Sequence, residues 1–283
     1  MIGIYHSRDL DGLCSGAIIR LAYPNCKMIG WDYGQPYPII DGTEIVIMAD
    51  ISFSIEEMMR ITKLLGNRLT IIDHHQRFIN DYLNATLFIP GSETAICNLN
   101  SSKAACELTW EHFFPKTPTP EWITLLGKWD TWRVANLPEW KEIIVPFQYG
   151  MRSLISKIED FENYLGEIEE VITRGKLVIN YVETADAYTC QHNAFEILFK
   201  GYRTICINLP GISTDTFKSV YNEEKHDLMM GFSFTGKFWR VSLRSIKDID
   251  VSLLASKYKS GGGHYKAAGF EIADINEIIK NND

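Results

Sequence analysis

Short apolar strands alternate with helices in the amino-terminal half of the chain, and this alternation limits the possible folds more than any other feature. Strand-like runs occur at residues 2–5, 27–31, 44–49 and 69–72. Apolar residues spaced by three and four predict helices at residues 13–22, 54–65, 103–114 and 121–128. Strands that alternate with helices form a parallel sheet with helices on both faces. The sequence therefore predicts an α/β domain over residues 1–160.

The pattern changes in the second half of the chain. One long amphipathic helix is predicted from about residue 160 to 187, and we assign residues 161–188 to it as a connecting helix. Further strand-like runs follow at residues 194–199, 203–209, 228–234 and 238–243. Thr235-Gly236 is a typical hairpin turn between the last two. Residues 189–283 are therefore predicted to form a second, smaller α/β domain.

Acidic and histidine side chains follow three of the predicted strands directly. They are His6, Asp9 and Asp11 after the first strand, Asp50 after the third, and Asp73, His74 and His75 after the fourth. Asp130 comes from a fourth place, after a predicted helix. The carboxyl ends of strands in an open α/β sheet meet along one edge, where ligands bind. A single aspartate at a strand end is more often a turn or helix cap, but three such groups are hard to explain as caps. We expect these residues to share one crevice.

This set of residues predicts bound metal ions. Clustered carboxylates raise one another's pKa unless a cation balances their charge. Oxygen ligands with a few imidazoles suit Mn²⁺ or Mg²⁺, and the imidazoles favour Mn²⁺. The six candidate ligands are His6, Asp9, Asp11, Asp50, His74 and Asp130. They are too many for one ion with an open position and suit two ions about 3.5–4 Å apart that share a carboxylate, as in phosphoesterases.

The motifs together resemble the DHH phosphoesterases. The four that carry this resemblance are His6 with Asp9-Leu10-Asp11-Gly12, Asp50, Asp73-His74-His75, and Asp130. Ser260-Gly261-Gly262-Gly263-His264 resembles the glycine-rich signature of the associated DHHA1 domain. The resemblance is greatest to the nanoRNase B type of oligoribonuclease, through Trp129-Asp130-Thr131-Trp132 and residues 240–252. RecJ-type exonucleases and cyclic-dinucleotide phosphodiesterases share the core. The resemblance implies a DHH domain at residues 1–160 and a DHHA1 domain at residues 189–283.

The family pattern also implies a role for each residue. One metal would be held by His6, Asp9 and Asp50, and the other by Asp11, Asp50, His74 and Asp130. His75 would lie near the scissile phosphate as a hydrogen-bond donor or acid, and Asp73 would orient the two histidines. Substrate phosphate would be bound by Arg244, Gly261, Gly262, Gly263 and His264. Two residues separate His6 from Asp9, and relatives vary between one and three, so the loop must absorb this difference.

The implied activity is a metal-dependent phosphodiesterase that releases mononucleotides from very short oligonucleotides. Alternative substrates are cyclic or linear dinucleotides and the bisphosphorylated nucleotide pAp, with polyphosphate as a weaker option. An alternative of another class is a nucleotide-binding sensor without catalysis. The net charge is −8, with 28 basic against 36 acidic residues, and no basic run offers a track for long nucleic acid.

Composition indicates a cytoplasmic protein. None of the six cysteines lies in a CxxC pair, which is typical of reduced thiols. The first residues are strand-like and carry no charged leader, and no apolar run reaches the ~20 residues that a membrane helix needs. The oligomeric state is left open by the sequence.

Overall fold

The computed structural model describes residues 1–87, 94–163 and 167–279. The chain divides into two compact units, Met1–Ile179 and Asn180–Asp283. The division falls within one long helix, so part of that helix is assigned to each unit. The boundaries predicted at residues 160 and 189 stay predictions.

The first unit is built on a parallel sheet with the strand order β2-β1-β3-β4-β5. Its strands are β1 (Ile2–His6), β2 (Lys27–Trp31), β3 (Val46–Ala49), β4 (Leu69–Asp73) and β5 (Ile96–Leu99). The first four were predicted, and the fifth was missed. All four residues of β5 are at least partly exposed, so its sequence lacks the fully apolar character of the other strands.

Helices cover both faces of this sheet. They are α1 (Leu10–Ala22), α2 (Ile55–Leu65), α3 (Gln76–Thr86), α4 (Ala105–Phe113), α5 (Glu121–Asp130) and α6 (Val145–Leu154), followed by α7 (Ile168–Asn193). Alternate residues of β3 face opposite sides: Ile47 packs in one cluster with Ile19 of α1, and Met48 packs in another with Met58 of α2. Because both faces bury apolar side chains, the prediction of a doubly covered parallel sheet is confirmed.

The long connecting helix differs from its prediction. A 3₁₀ segment occupies Ile158–Asn163, and α7 runs from Ile168 to Asn193, so the helix begins and ends later than expected. The predicted helical residues 164–166 lie outside the described residues. The predicted helix ended too early because residues 188–193 include few aliphatic side chains. Hydrogen bonds such as the one between His192 Nδ1 and the Tyr188 carbonyl occupy backbone carbonyls in the last turn of α7.

The second unit contains a mixed sheet with the strand order β10-β11-β9-β8-β7-β6. Its elements are β6 (Phe195–Phe199), β7 (Tyr202–Ile207), β8 (Leu228–Phe234), β9 (Trp239–Arg244), α8 (Val251–Ala255), β10 (Gly262–His264), β11 (Ala267–Ile272) and α9 (Asn276–Ile279). Only β7 and β8 pair in parallel. The predicted turn between β8 and β9 is present, since Thr235 N–H donates to the Phe238 carbonyl over 2.9 Å. The predicted smaller α/β unit is therefore confirmed as a fold.

Among the helices that the structure describes, none is long and apolar enough to cross a membrane. The six cysteines are all unpaired thiols, and five of them are buried.

Candidate metal centre

The topology of the first sheet places a crevice beside β1 and β3. From β1 the chain moves outward to β2, then returns across β1 and continues in the other direction through β3 and β4. Connections leave the carboxyl ends of β1 and β3 in opposite directions, which is the position where open α/β sheets bind ligands. Asp50 follows β3 directly, and His6 is the last residue of β1. The sequence motifs therefore meet at this edge.

The first cluster of candidate ligands contains His6, Asp9 and Asp50. Nδ1 of His6 lies 2.9 Å from Oδ2 of Asp9 and 3.5 Å from Oδ2 of Asp50. Asp9 is also the amino-terminal cap of α1, where its Oδ1 accepts a hydrogen bond from Gly12 N–H over 2.9 Å. A Cβ atom at Gly12 would lie 2.2 Å from the His6 carbonyl oxygen, so only glycine permits this turn. The two-residue spacing between His6 and Asp9 is thus accommodated.

The second cluster contains Asp11, His74 and Asp130. Nε2 of His74 lies 3.6 Å from Oδ2 of Asp11 and 3.2 Å from Oδ2 of Asp130. Both oxygens of Asp11 accept backbone hydrogen bonds from the start of α4, at Ala105 over 2.9 Å and Cys106 over 2.7 Å. These bonds fix the carboxylate, and the helix amino terminus favours its negative charge.

Asp50 lies between the two clusters and contacts both. Its Oδ2 faces His6, and its Oδ1 is 3.3 Å from Nε2 of His74. The side chain is 2% exposed, and Oδ1 has no hydrogen-bond partner among the described residues. The backbone adopts the left-handed conformation, with φ of 61°, which aspartate and asparagine tolerate better than most other side chains. A buried, unpartnered carboxylate oxygen held in this way fits a cation as its partner.

The pKa values of the clustered side chains also indicate a site that favours positive charge. Burial, followed by the charge of Asp50, raises the pKa of Asp11 to about 7. Burial and the nearby Asp11 raise the pKa of Asp130 to about 7 as well. Burial by itself lowers the pKa values of His6 and His74, but close contacts with their carboxylate partners, Asp50 first, outweigh it and raise both to about 10. A set of buried carboxylates with these shifts is a site for cations.

His75 and Asp73 form a separate pair beside the clusters. Nδ1 of His75 is 2.8 Å from Oδ1 of Asp73, and the same oxygen accepts His75 N–H over 2.9 Å. The hydrogen bond to Asp73 is the main reason why the pKa of His75 is raised. The side chain of His75 is 46% exposed, whereas Asp73 is fully buried. Among the described contacts, Asp73 bonds to His75 and does not touch His74. The sequence-based expectation was that Asp73 orients both histidines, and these contacts support it for His75 alone.

Sequence reasoning missed three neighbours of the first cluster. Oδ1 of Asp32 lies 3.4 Å from Nε2 of His6, while Oδ2 of Asp32 binds Arg8 over 3.0 Å. The ring of Tyr33 is 6.0 Å from the His6 imidazole, in edge-to-face geometry. Asp32 directly follows β2, so a search for polar residues at every strand end would have found it.

The residues around Asp130 are held in place by an ion pair and by packing of tryptophan rings. Arg133 binds both oxygens of buried Glu107 over 2.7 Å. Trp129 stacks on Trp140 with ring centroids 5.1 Å apart and planes 3° apart. Trp132 is 65% exposed and also contacts Trp140, so it is the more accessible of the two tryptophans beside Asp130.

In the second unit, two of the predicted phosphate-binding residues, Arg244 and His264, share one row of the sheet. His264 of β10 pairs with Ala267 of β11, and Ala267 pairs with Arg244 of β9. Directly opposed residues point to the same face, so the two side chains stand about 10 Å apart on one side. No carboxylate within the described part of the chain pairs with Arg244, and its Nη1 binds only the Leu243 carbonyl. Gly263, the last of the three predicted glycines, has φ of 140°, which side chains rarely adopt.

Comparison with known proteins adds a family and related chains. Residues 210–282 match the family model described as the DHHA1 domain. The chain is 25% identical over 248 residues to uncharacterized protein R106 of Acanthamoeba polyphaga mimivirus, an alignment that covers 81% of this chain and 53% of that protein. It is 22% identical over 318 residues to oligoribonuclease NrnB of Bacillus subtilis strain 168, covering 97% of this chain and 73% of NrnB. This chain thus spans about half the length of the viral relative.

Among solved structures, the fold is similar to that of PggH, a pGpG-specific phosphodiesterase from Vibrio cholerae. The TM-score is 0.52 with 15% sequence identity, and the superposition covers 98% of this chain and 94% of PggH. At this identity the similarity establishes a shared fold.

Proposed function

We propose that this chain is a metal-dependent phosphodiesterase that degrades very short oligonucleotides to mononucleotides. The DHHA1 match and the similarity to NrnB support this proposal. The observation that carries the proposal is the position of Asp50, whose two buried oxygens face two separate clusters of candidate ligands. Two ions that share one carboxylate are typical of enzymes that cleave phosphodiesters.

The residues present fit two divalent ions. We assign one to His6, Asp9 and Asp50, and the other to Asp11, Asp50, His74 and Asp130. Oxygen ligands with two imidazoles favour Mn²⁺, with Mg²⁺ as the alternative. When bound, such ions supply a hydroxide nucleophile and neutralise the phosphoryl oxygens. The hydrogen bonds from Ala105 and Cys106 to Asp11 would keep that carboxylate oriented in the loaded protein.

We assign His75 as the general acid that donates a proton to the leaving oxygen. Asp73 holds Nδ1, so Nε2 is left to face the substrate, and the raised pKa favours the protonated ring. Arg244 and His264 are assigned to a substrate phosphate, because they share one sheet face, about 10 Å apart, and the guanidinium has no carboxylate partner among the described residues.

Arg244→Ala and His264→Ala are expected to raise KM more than they lower kcat. A hydrogen bond to a charged group is worth about 1.5–3 kcal/mol, which corresponds to an increase in KM of roughly 10- to 100-fold for Arg244→Ala. Steady-state kinetics on a dinucleotide would measure this. Arg203→Ala is the control, since Arg203 is already paired with Asp227. A normal KM in both variants would instead support a structural role for the glycine-rich segment.

The length preference tests the proposed substrate directly. Labelled oligoribonucleotides of graded length would be digested with Mn²⁺ at two salt concentrations. The chain is acidic overall and holds few phosphates in this proposal, so we expect the fastest cleavage for about two to five nucleotides and a weak salt dependence. Rapid, strongly salt-dependent digestion of a long single strand would instead indicate a RecJ-like exonuclease.

A linear dinucleotide is the second candidate substrate. The fold similarity to PggH, which is described as specific for pGpG, favours it over the cyclic form and over pAp. In the same assay a strictly dinucleotide-specific enzyme would leave trinucleotides intact, whereas an oligoribonuclease would shorten them.

A further inference from the structure

An aromatic pocket lies beside the first cluster of candidate ligands. It is a cavity of about 400 Å³ between the segment that follows β2 and the segment that follows Asp50. Its aromatic walls are Trp31, Tyr33, Tyr37 and Phe53. Trp31 and Phe53 meet edge to face at 5.0 Å, and Tyr37 lies 4.7 Å from Phe53. We call this cavity the aromatic pocket.

Tyr33 joins the aromatic pocket to the candidate metal centre. Its ring stands 6.0 Å from the His6 imidazole, and Ser52, which lines the same cavity, comes two residues after Asp50. A ligand in the pocket would therefore be a direct neighbour of a group bound at the first cluster.

Packing of the protein core does not account for all four rings. Trp31 and Phe53 are buried, with 4% and 5% exposure, and they contribute to the core on this face of the sheet. Tyr33 and Tyr37 are 56% and 43% exposed. Exposed aromatic rings that line a concave site beside candidate catalytic groups are available for a ligand.

The lining selects a planar ligand with polar edges. The ring faces suit stacking, and the pocket also contains the Gln35 carboxamide and the Ser52 hydroxyl. Oε1 of Gln35 accepts a hydrogen bond from Asp32 N–H, while its amide nitrogen has no acceptor among the described residues. A nucleobase combines a π face with hydrogen-bonding edges, and every base can stack on an aromatic side chain. A phosphate alone would not use the ring faces.

We propose that the aromatic pocket binds a nucleobase of the substrate, on the nucleotide next to the phosphate held at the candidate metal centre. Tyr33 and Tyr37 are then specificity-determining residues that select nucleotides over simple phosphodiesters. This inference rests on the proposed function for its substrate. The base contact itself can be measured without hydrolysis.

The kinetic test compares a dinucleotide with analogues that lack one base or the other. With the wild type, removal of the base that occupies the pocket should lower kcat/KM by about 10- to 100-fold. On the intact dinucleotide, Tyr33→Ala should lower kcat/KM by a similar factor. On the analogue that lacks the pocket base, Tyr33→Ala should differ from the wild type by less than about twofold in kcat/KM, because the contact is already absent. Tyr33→Phe should retain most activity. Tyr23→Ala is the matched control, because Tyr23 lies at the far end of α1, about 20 Å from Asp9.

The binding test uses a nucleoside 5′-monophosphate and ribose 5-phosphate with the manganese-loaded protein in a calorimeter. The wild type should bind the nucleotide at least about tenfold more tightly, and Tyr33→Ala and Tyr37→Ala should each reduce this preference. Equal binding of the two ligands by the wild type, or an unchanged preference in both variants, would overturn the proposal. A base preference that depends on Tyr33, in a protein that cleaves no dinucleotide, would retain the pocket and reject the proposed function.

Discussion

The Asp50→Asn variant is expected to lose at least about a thousandfold in kcat, because metal stabilisation of transition-state charge is worth several kcal/mol and each 1.4 kcal/mol is about tenfold. Asp50 is the one side chain whose two oxygens face both clusters of candidate ligands, within the part of the chain that the structure describes. Asparagine offers a single neutral oxygen in its place, so both ions should bind more weakly. It is a better replacement than alanine because asparagine tolerates the left-handed backbone of this position.

Metal binding and folding are measured separately for this variant. Calorimetric titration with Mn²⁺ should show two sites in the wild type and at most one weak site in Asp50→Asn. Asp160→Asn is the matched control, since Asp160 accepts hydrogen bonds from Ser156 and Lys157 as a simple turn cap. That control should keep both metal sites and normal activity. Full metal stoichiometry and activity in Asp50→Asn would contradict the assignment of the bridging ligand.

Thermal melting in EDTA distinguishes a metal ligand from a structural cap. Burial raises the pKa of Asp50, so this carboxyl ionises less readily in the folded, metal-free protein than in the unfolded chain. A raised pKa means that the ionised carboxylate destabilises the folded state at pH values above the pKa of the unfolded chain. At neutral pH in EDTA, Asp50→Asn should therefore melt no lower than the wild type. A structural cap would instead melt lower with and without metal.

The sequence predicted the first sheet well because its strands are apolar on both faces. Residues 46–49 are fully buried, and such runs are recognised without knowledge of the tertiary structure. The strand β5 has no such signature: Ile96 and Cys97 are exposed, and Asn98 is half-buried with its amide bonded to the Leu108 carbonyl. Its place in the sheet depends on pairing with β4, which sequence periodicity does not report.

The candidate ligands could be predicted because their position depends on topology alone. Any parallel sheet brings the ends of β1, β3 and β4 to one edge, so His6, Asp50 and His74 follow from strand assignment. The aromatic pocket could not be predicted in this way. Tyr33 and Tyr37 lie in a loop after β2, and their positions beside Trp31 result from side-chain packing.

His75→Ala is expected to lower kcat by about 10²- to 10⁴-fold on a dinucleotide, which is the usual contribution of a general acid or base. His75 differs from the candidate ligands, because it is 46% exposed and its Nδ1 is held by Asp73. Both metal sites should therefore remain in a Mn²⁺ titration, unlike in Asp50→Asn. Loss of a metal ion from His75→Ala would reassign His75 as a ligand, for which its 4.0 Å distance to Oδ1 of Asp50 would be the structural basis.

The role of His75 as an acid is tested by changing the leaving group. A nucleoside p-nitrophenyl phosphate releases a phenolate that departs without a proton, whereas a dinucleotide releases a sugar alkoxide that requires one. If His75 Nε2 supplies that proton, His75→Ala should be close to the wild type on the p-nitrophenyl ester and should lose its activity only on the dinucleotide. Asp73→Asn should show the same pattern with a smaller loss, since it removes the carboxylate that orients the ring and favours its protonation. An equal loss on both substrates would mean that His75 stabilises the phosphoryl oxygens by hydrogen bonding and is not the proton donor.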